Sequence, residues 1–127
     1  MENHVVVRTG HLNHKGSLFG GQLLLWVDEA AYIAAMKDFP RNSFVTRAFA
    51  DVQFKSPVQN GSILRFACNN VKVGESSVVY EVKVFEHPPG EEVINLVFET
   101  NVAFVAVDNQ GNKAKLITKQ TDEGIAT

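Results

Sequence analysis

Hydrophobic and polar positions divide the chain into one apolar helix followed by several strands. The fifteen residues from Gln22 to Met36 contain no proline or glycine and are almost entirely apolar. Their length and their Ala and Leu content favour a helix, because strands usually run only about 4–8 residues. Pro40 requires the helix to end before it. Since apolar residues lie nearly all round this segment, we predict a helix that is buried on most sides.

The segments after the helix are typical of strands joined by short turns. They are rich in β-branched and aromatic residues, and short turns between strands imply antiparallel neighbours. The predicted strands cover residues 44–54, 63–73, 76–85, 93–107 and, as a short first strand, 5–8. We therefore predict one α+β domain over residues 1–116, in which an antiparallel sheet wraps around the helix. A flexible tail is expected over residues 117–127.

Composition narrows the class of protein. The 127 residues include 12 basic and 14 acidic side chains, which give a net charge of −2 and no electrostatic support for a nucleic-acid partner. Cys68 is the single cysteine, which excludes an internal disulfide framework and a cysteine-based zinc site. The N-terminus does not resemble a secretory signal, and no apolar run approaches the ~20 residues of a membrane span. We expect a cytoplasmic protein that binds neither nucleic acid nor membrane.

Two neighbouring acids interrupt the apolar helix. Asp28 and Glu29 point about 100° apart around the helix axis, so they can hardly serve the same purpose. An ionised carboxylate is costly to bury without partners. We expect one of the two acids to face a cleft or an interface while the other reaches solvent or a basic group. The alternative is that both lie on a narrow solvated face.

The segment before the helix carries further candidate groups. Gly20 and Gly21 leave unpaired N–H groups at the positive end of the helix, where a developing oxyanion can be stabilised. A plain turn would use the same two glycines. The loop 11–19 contains two histidines, which suggest a base or a metal ligand but also fit a polar surface loop. Asn13 in this loop can hold a water molecule or a carbonyl oxygen.

In their order and spacing, these features resemble a known family. The segment 13–21, Asn-His-Lys-Gly-Ser-Leu-Phe-Gly-Gly, is followed seven residues after its last glycine by Asp28. Further similar segments are 45–57, 72–77 and 104–108. Across residues 5–112 the chain resembles the hot-dog-fold acyl-CoA thioesterases. The resemblance implies a hot-dog fold and a homodimer with a continuous sheet, which in many members assembles further into a tetramer or a hexamer.

The resemblance also implies a chemistry, the hydrolysis of acyl-CoA to a free acid and coenzyme A without a cofactor or a metal. The Gly21 N–H would stabilise the oxyanion, and Asp28 would act as general base or as nucleophile. Asn13, from the partner chain, would orient the water or hold the carbonyl. The residues implied in substrate binding are Phe19, Gly20, Thr46, Lys72, Gly74, Ser76 and Ser77. Glu75 and Ser56 depart from the family, which often has a basic residue at each of these positions.

Spacing along the helix gives a separate argument for a shared site. Gly21 and Asp28 are seven residues apart, or ~10.5 Å along one helix axis, too far for both to touch one reacting carbonyl. A site that uses both must take the glycine from one chain and the acid from another. The enzyme interpretation therefore requires a dimer.

Two alternative functions stay open. A hydratase or dehydratase of the same fold pairs a histidine with an acid in its own motifs, whereas His14 is followed here by Lys-Gly. A non-catalytic acyl-CoA-binding module would not need both Asn13 and Asp28. A serine hydrolase is disfavoured because no G-x-S-x-G segment occurs. Thioesters of acyl carrier protein stay open as substrates.

Overall fold

The described residues form one sheet and one long helix. The computed structural model describes residues 1–118. Its elements are β1 (Glu2–Val6), α1 (Gly20–Asp38), β2 (Phe44–Phe54), β3 (Ile63–Val73), β4 (Ser77–His87) and β5 (Asn95–Ala106). Every strand pairs antiparallel with its neighbours, in the order β1-β3-β4-β5-β2. The predicted α+β architecture is confirmed.

Element boundaries differ slightly from the predicted ones. β2 and β3 have the predicted bounds, whereas β1 begins three residues earlier than expected. The helix extends two residues further at each end, because Gly20 and Gly21 form its first turn and the Phe39 N–H still donates to the Ala35 carbonyl. The glycines therefore lie inside the helix rather than in a turn that precedes it.

The hydrophobic core lies between α1 and the inner face of the sheet. Alternate residues of β4 point toward the helix, as its sequence pattern predicts. The helix presents small side chains to this face, so the helix and the sheet can approach closely. Residues of the helix and of β4 that are at most 2% exposed include Val27, Ala30, Ala31, Ala34, Val78, Tyr80, Val82 and Val84.

The opposite side of α1 is not covered by the chain itself. Leu25 is 60% exposed, and Tyr32 and Ile33 are also exposed. The prediction of a helix buried on most sides is therefore wrong for a single chain, because one sheet covers only one side of a helix. The edge strand β2 is uncovered as well, with Val45, Val52 and Phe54 exposed.

The helix start and the β3–β4 turn lie at opposite ends of the sheet. β2 pairs with β5 from Phe44 opposite Ala106 to Phe54 opposite Phe98. A β-carbon at Gly20 would come 3.4 Å from the Phe54 ring, so the helix starts near the end of β2. Ser77, which follows the β3–β4 turn, lies opposite Val105, near the beginning of β2. Within one chain, a group at the helix start therefore cannot contact a group in the β3–β4 turn.

The last described residues are partly fixed to the domain. The Ile117 N–H donates to Asn42 Oδ1 at 2.8 Å, and Asn42 Nδ2 donates to the Ile117 carbonyl at 2.8 Å. The first residue of the predicted tail is thus bonded to the loop after α1, while residues 119–127 lie outside the described residues. Within residues 1–118, no helix is long and apolar enough to cross a membrane.

Candidate active site

Asp28 is oriented by a residue of the edge strand. Its Oδ1 accepts a 2.7 Å hydrogen bond from Thr46 Oγ1, and its side chain is half-buried. Within residues 1–118 this bond leaves Asp28 Oδ2 without a protein partner. Glu29 is exposed, so the two acids face different surroundings. Thr46 thus lies beside the acid, where it can hold the carboxylate in one orientation.

Gly20 and Gly21 begin the helix with unpaired backbone donors. The N–H groups of Gln22 and Leu23 both donate to the Phe19 carbonyl at 3.1 Å. No side chain caps the helix, and no acid lies in its first turn. The N–H groups of the two glycines have no partner among the described residues. The positive end of the helix therefore presents free donors, the arrangement that suits a negative oxygen.

Two aromatic rings lie against these glycines. A β-carbon at Gly21 would come 3.0 Å from the Phe19 ring, and one at Gly20 would come 3.4 Å from the Phe54 ring. Both rings are more than half exposed, so neither belongs to the core. The absence of a side chain at Gly21 allows the Phe19 ring to lie this close to the helix.

Asn13 holds together the turn before the helix. Its Oδ1 accepts the N–H groups of Lys15 at 2.8 Å and Ser17 at 3.2 Å. Its own N–H donates to the Ser17 carbonyl at 2.7 Å. These bonds use the amide oxygen, so the Nδ2 group is the part of the side chain that can donate to a ligand.

Two open grooves flank the helix start. The apolar groove, about 350 Å³ in volume, is lined by Leu18, Gly20, Leu23, Phe54, Lys55, Ser56, Pro57 and Val58. A second groove, about 340 Å³ in volume, is lined by Gly10, His11, Leu12, Asn13, His14, Phe19 and Gln22. Asn13 and Phe19 thus share one groove, and Gly20 lines the other.

The two histidines of the loop have different surroundings. His11 Nδ1 accepts the Arg8 N–H at 2.9 Å, and the ring stands edge-on to Trp26 with centroids 4.7 Å apart. His14 is exposed. Among residues 1–118, no group of three or more His, Cys, Asp or Glu side chains is arranged to hold a metal ion. His11 has a structural partner on each side.

The β3–β4 turn and the strand residues next to it include Lys72, Gly74, Ser76 and Ser77, which the resemblance implies in substrate binding. The Gly74 N–H donates to the Ser77 carbonyl at 2.7 Å, and a β-carbon at Gly74 would come 2.9 Å from Ser77 Oγ. Gly74 therefore shapes the turn, and its N–H is used within it. Lys72 is exposed and Ser76 is half-buried. The turn lies away from Gly21 of the same chain, at the other end of the sheet.

Glu86 is a buried acid near the site that the sequence analysis missed. It is only 3% exposed, and its Oε2 accepts the Gln59 N–H at 3.0 Å and the Ser62 hydroxyl at 2.7 Å. A signal was present, because Glu86 falls in phase with the buried residues of β4, two positions after Val84. An acid on the apolar face of a strand needs partners.

Burial raises the pKa values of two ionisable groups that lie outside the site. Burial raises the pKa of the Cys68 thiol to about 11, against a partial opposing effect of the N-terminal ammonium. Burial also raises the pKa of Tyr80, and its hydrogen bond to Asp38 adds to the shift. Tyr80 donates that bond to Asp38 Oδ2 at 2.6 Å, at the C-terminal end of α1. Both groups contribute to stability rather than to the site.

Comparison with known families identifies the chain. Residues 15–93, more than half of the sequence, match the model of the thioesterase superfamily. The chain belongs to the thioesterase superfamily. The predicted family is thereby confirmed, and the matched region includes Gly21, Asp28, Thr46 and the β3–β4 turn. Asn13 lies just before it.

Individual thioesterases are similar over most of the chain. An uncharacterized acyl-CoA thioester hydrolase of Haemophilus influenzae is 29% identical, over 87% of this chain and 73% of its own. A hexameric hotdog-fold thioesterase of Campylobacter jejuni superposes with a TM-score of 0.81 at 30% identity, over 91% of this chain and 88% of its own. The predicted hot-dog fold is thus confirmed.

A third relative has been solved with ligands and with substitutions. The acyl-CoA hydrolase of Staphylococcus aureus, in complex with butyryl coenzyme A, superposes with a TM-score of 0.83 at 27% identity, over 93% of this chain and 71% of its own. Two further structures of that hydrolase replace an asparagine and an aspartate by alanine. Those two positions are fifteen residues apart in its chain, the same spacing as Asn13 and Asp28 here.

Proposed function

We propose that this chain hydrolyses acyl-CoA thioesters, in a homo-oligomer whose active sites are shared between two copies. One observation carries the proposal: the oriented carboxylate of Asp28 and the free N–H of Gly21 lie on the same continuous helix. Their separation along it is ~10.5 Å. A single thioester carbonyl can meet both groups only when they come from different chains.

Uncovered apolar surface supports the assembly. β2 is an eleven-residue edge strand that exposes Val45, Val52 and Phe54. Long apolar edge strands pair readily with another strand. The exposed side of α1, with Leu25 and Tyr32, would be covered by the same partner. The Campylobacter jejuni relative is hexameric, and we infer a homo-oligomer built from dimers for this chain too.

The proposed reaction is the attack of water on the thioester carbonyl carbon. Asp28 takes a proton from the water as the carbon–oxygen bond forms. The carbonyl oxygen becomes an oxyanion that accepts a hydrogen bond from the Gly21 N–H. The tetrahedral intermediate then expels the coenzyme A thiolate, which receives the proton from Asp28. One donor to an oxyanion is worth about 3 kcal/mol, and a general base contributes roughly 10²–10⁴-fold.

Asn13 is proposed to act as a donor in this reaction. Its Oδ1 is occupied by the turn, so Nδ2 is the group that can hold the water or the carbonyl oxygen. The equal spacing of the asparagine and aspartate that were substituted in the Staphylococcus aureus hydrolase supports pairing Asn13 with Asp28. Thr46 is proposed to orient Asp28 through their 2.7 Å hydrogen bond.

The nucleotide end of the substrate is proposed to meet the β3–β4 turn. Lys72 supplies a positive charge, and Ser76 and Ser77 supply hydroxyl groups. Gly74 contributes the shape of the turn. Because this turn is remote from Gly21 of its own chain, we propose that it serves a site built around the Gly21 of another copy.

A mixed oligomer tests the shared site. Gly21→Pro removes the N–H donor, and Asp28→Asn removes the base. When the two inactive variants are mixed after unfolding, each mixed dimer has one doubly altered site and one intact site. Roughly a quarter of wild-type turnover should return if pairing is random and the dimer is two-fold symmetric. If both groups served one site within a single chain, no site would be intact and no activity would return.

The choice between general base and nucleophile can be decided by isotope labelling. A single turnover in ¹⁸O-water leaves no label in the protein if Asp28 acts on water. An anhydride intermediate that is hydrolysed at the aspartyl carbon would leave one ¹⁸O in the Asp28 carboxylate. Mass spectrometry of the peptide around Asp28 after that turnover detects this label. An anhydride hydrolysed at the acyl carbon leaves no label in the protein and is detected instead by trapping with hydroxylamine. Acyl-CoAs from acetyl to palmitoyl, followed by thiol release, define the substrate range.

A further inference from the structure

We propose that Glu86 is a positioning residue, which fixes the Asn13 turn through the loop formed by residues 58–62. The inference rests on the proposed function, because it assigns Glu86 an effect on catalysis that passes through Asn13. Glu86 itself lies on β4, outside the segments that carry Asn13, Gly21 and Asp28.

The first link runs from Glu86 to the loop. Both bonds to Oε2 come from the loop, the N–H of Gln59 and the hydroxyl of Ser62. Ser62 is fully buried, and Glu86 is nearly so. An acid in an otherwise apolar stripe is favourable only with such partners, because a buried polar group without hydrogen bonds is costly. The carboxylate therefore determines where this part of the loop lies.

The second link runs from the loop to the segment before the helix. The Leu18 N–H donates to the Val58 carbonyl at 2.9 Å, and Ser17 and Gln59 form an antiparallel bridge. Gln59 thus has Glu86 on one side and Ser17 on the other. A displacement of Gln59 would therefore displace Ser17 as well.

The third link runs from Ser17 to Asn13. Ser17 is bonded to Asn13 twice, once through its carbonyl at 2.7 Å and once through its N–H at 3.2 Å. The first bond fixes the backbone of Asn13, and the second fixes its side-chain oxygen. Three consecutive links thus join a buried carboxylate of the sheet to the amide that we assign to the substrate.

The loop has a separate attachment that would survive the loss of Glu86. Val7 donates its N–H to the Ser62 carbonyl, and the Gly61 N–H donates to the Val7 carbonyl, both at 2.9 Å. The half of the loop near β1 is therefore held independently. Removal of the carboxylate should loosen mainly the half around Gln59, which faces Ser17.

Amide hydrogen exchange tests the links without requiring activity. In Glu86→Leu, exchange at the N–H groups of Lys15 and Ser17 should become about tenfold faster. Glu86→Gln keeps an oxygen that can accept both bonds, so its exchange should stay near that of the wild type. Tyr80→Phe is the matched control, since it removes a part-buried side-chain hydrogen bond of β4 at the other end of the sheet. Equal acceleration in that control would overturn the proposal.

A kinetic cycle tests the effect on catalysis. We expect Glu86→Leu to lower kcat about tenfold with KM changed less than threefold, and Glu86→Gln to restore kcat. In an Asn13→Ala background, Glu86→Leu should cause no further loss of kcat. An equal loss in both backgrounds would overturn the assignment. If Glu86→Leu does not fold, Ser62→Ala, which removes one of the two bonds, takes its place with a smaller effect in the same direction.

Failure of this inference can be distinguished from failure of the proposed function. A wild-type chain that hydrolyses no acyl-CoA contradicts the proposed function, and the exchange experiment still decides whether Glu86 fixes the turn. A wild-type chain that is active, with unchanged exchange at Lys15 and Ser17 in Glu86→Leu, contradicts the inference alone.

Discussion

The two ends of helix α1 differ in whether their polar groups have hydrogen-bond partners. At the C-terminal end the Phe39 N–H is bonded to Ala35, Tyr80 holds Asp38, and the Asn42 side chain is bonded to Ile117. At the N-terminal end the donors of Gly20 and Gly21 are free and uncapped. A cap would add stability at that end but would occupy the donors. One end of the helix therefore stabilises the fold, and the other is left available for a ligand.

The largest expected effect is the loss of Asp28. Asp28→Asn keeps the shape of the side chain and removes the base, so kcat should fall by about 10³-fold or more while the fold is retained. Glu29→Gln is the matched control, because Glu29 is the adjacent acid but faces solvent. Thiol release from acyl-CoA measures both. Retained activity in Asp28→Asn would contradict the assignment of the base.

The free donor at the N-terminal end can be removed selectively. Proline is tolerated in the first turn of a helix, and the Gly21 N–H makes no bond within the described chain. Gly21→Pro should therefore lower kcat by roughly 10²–10³-fold, the usual cost of one oxyanion donor. Circular dichroism checks that the helix persists.

Gly21→Ala is the control for steric effects in the same experiment. It keeps the N–H and adds a β-carbon 3.0 Å from the ring of Phe19. That ring is 56% exposed and can move aside, so kcat should fall only a few-fold. If alanine were as harmful as proline, the loss would come from contact with Phe19 and not from the missing donor.

The sequence predicts the C-terminal part of the fold better than the details of the site. Alternation in β4 and the turns between strands specify the sheet, because one face of each strand must be buried. Asp28 stands out in the same way, as an acid among apolar residues. Thr46 beside Asp28, and Glu86 beneath the loop, depend on contacts between segments distant in sequence. No local pattern encodes such contacts.

The prediction that the helix is buried on most sides differs from the structure in an informative way. A segment apolar nearly all round predicts burial on most sides, yet Leu25 is 60% exposed. The pattern is the one expected if a second chain of the proposed oligomer covers this surface, because a single chain contains only one covering surface. Apolar periodicity therefore carries information about partners as well as about the fold of one chain.

At the C-terminal end, Tyr80→Phe should change stability without changing activity. It removes the 2.6 Å hydrogen bond to Asp38, and the free energy of unfolding should fall by about 1–2 kcal/mol. Denaturant titration measures this change. Asp38→Asn is the control, because its amide oxygen can still accept the bond from Tyr80, so its loss of stability should be smaller. A loss of kcat in Tyr80→Phe would show that the two ends of the helix are not independent.

The smallest expected effect is a loss of stability at alkaline pH, caused by Cys68 in the sheet beneath the helix. Burial raises the pKa of Cys68 from 9.0 to about 11, so the unfolded chain releases this proton first. The stabilisation is complete below pH 9 and is lost as the pH rises toward 11. At about pH 10 the loss should be about 1 kcal/mol. Cys68→Ala should flatten the stability curve between about pH 8 and 10.

Tyr80 provides the internal check on that comparison. Its pKa is also raised, from 10.0, so its contribution has the same sign but begins to fall only above that pH. Below about pH 10 the difference between the wild type and Cys68→Ala reports the thiol, because Tyr80, whose pKa is raised from 10.0 partly by Cys68 itself, stays protonated in both. Parallel curves over this range would mean that the thiolate of Cys68 is reached by water in the folded chain. The thiol would then be less protected than its 3% exposure indicates.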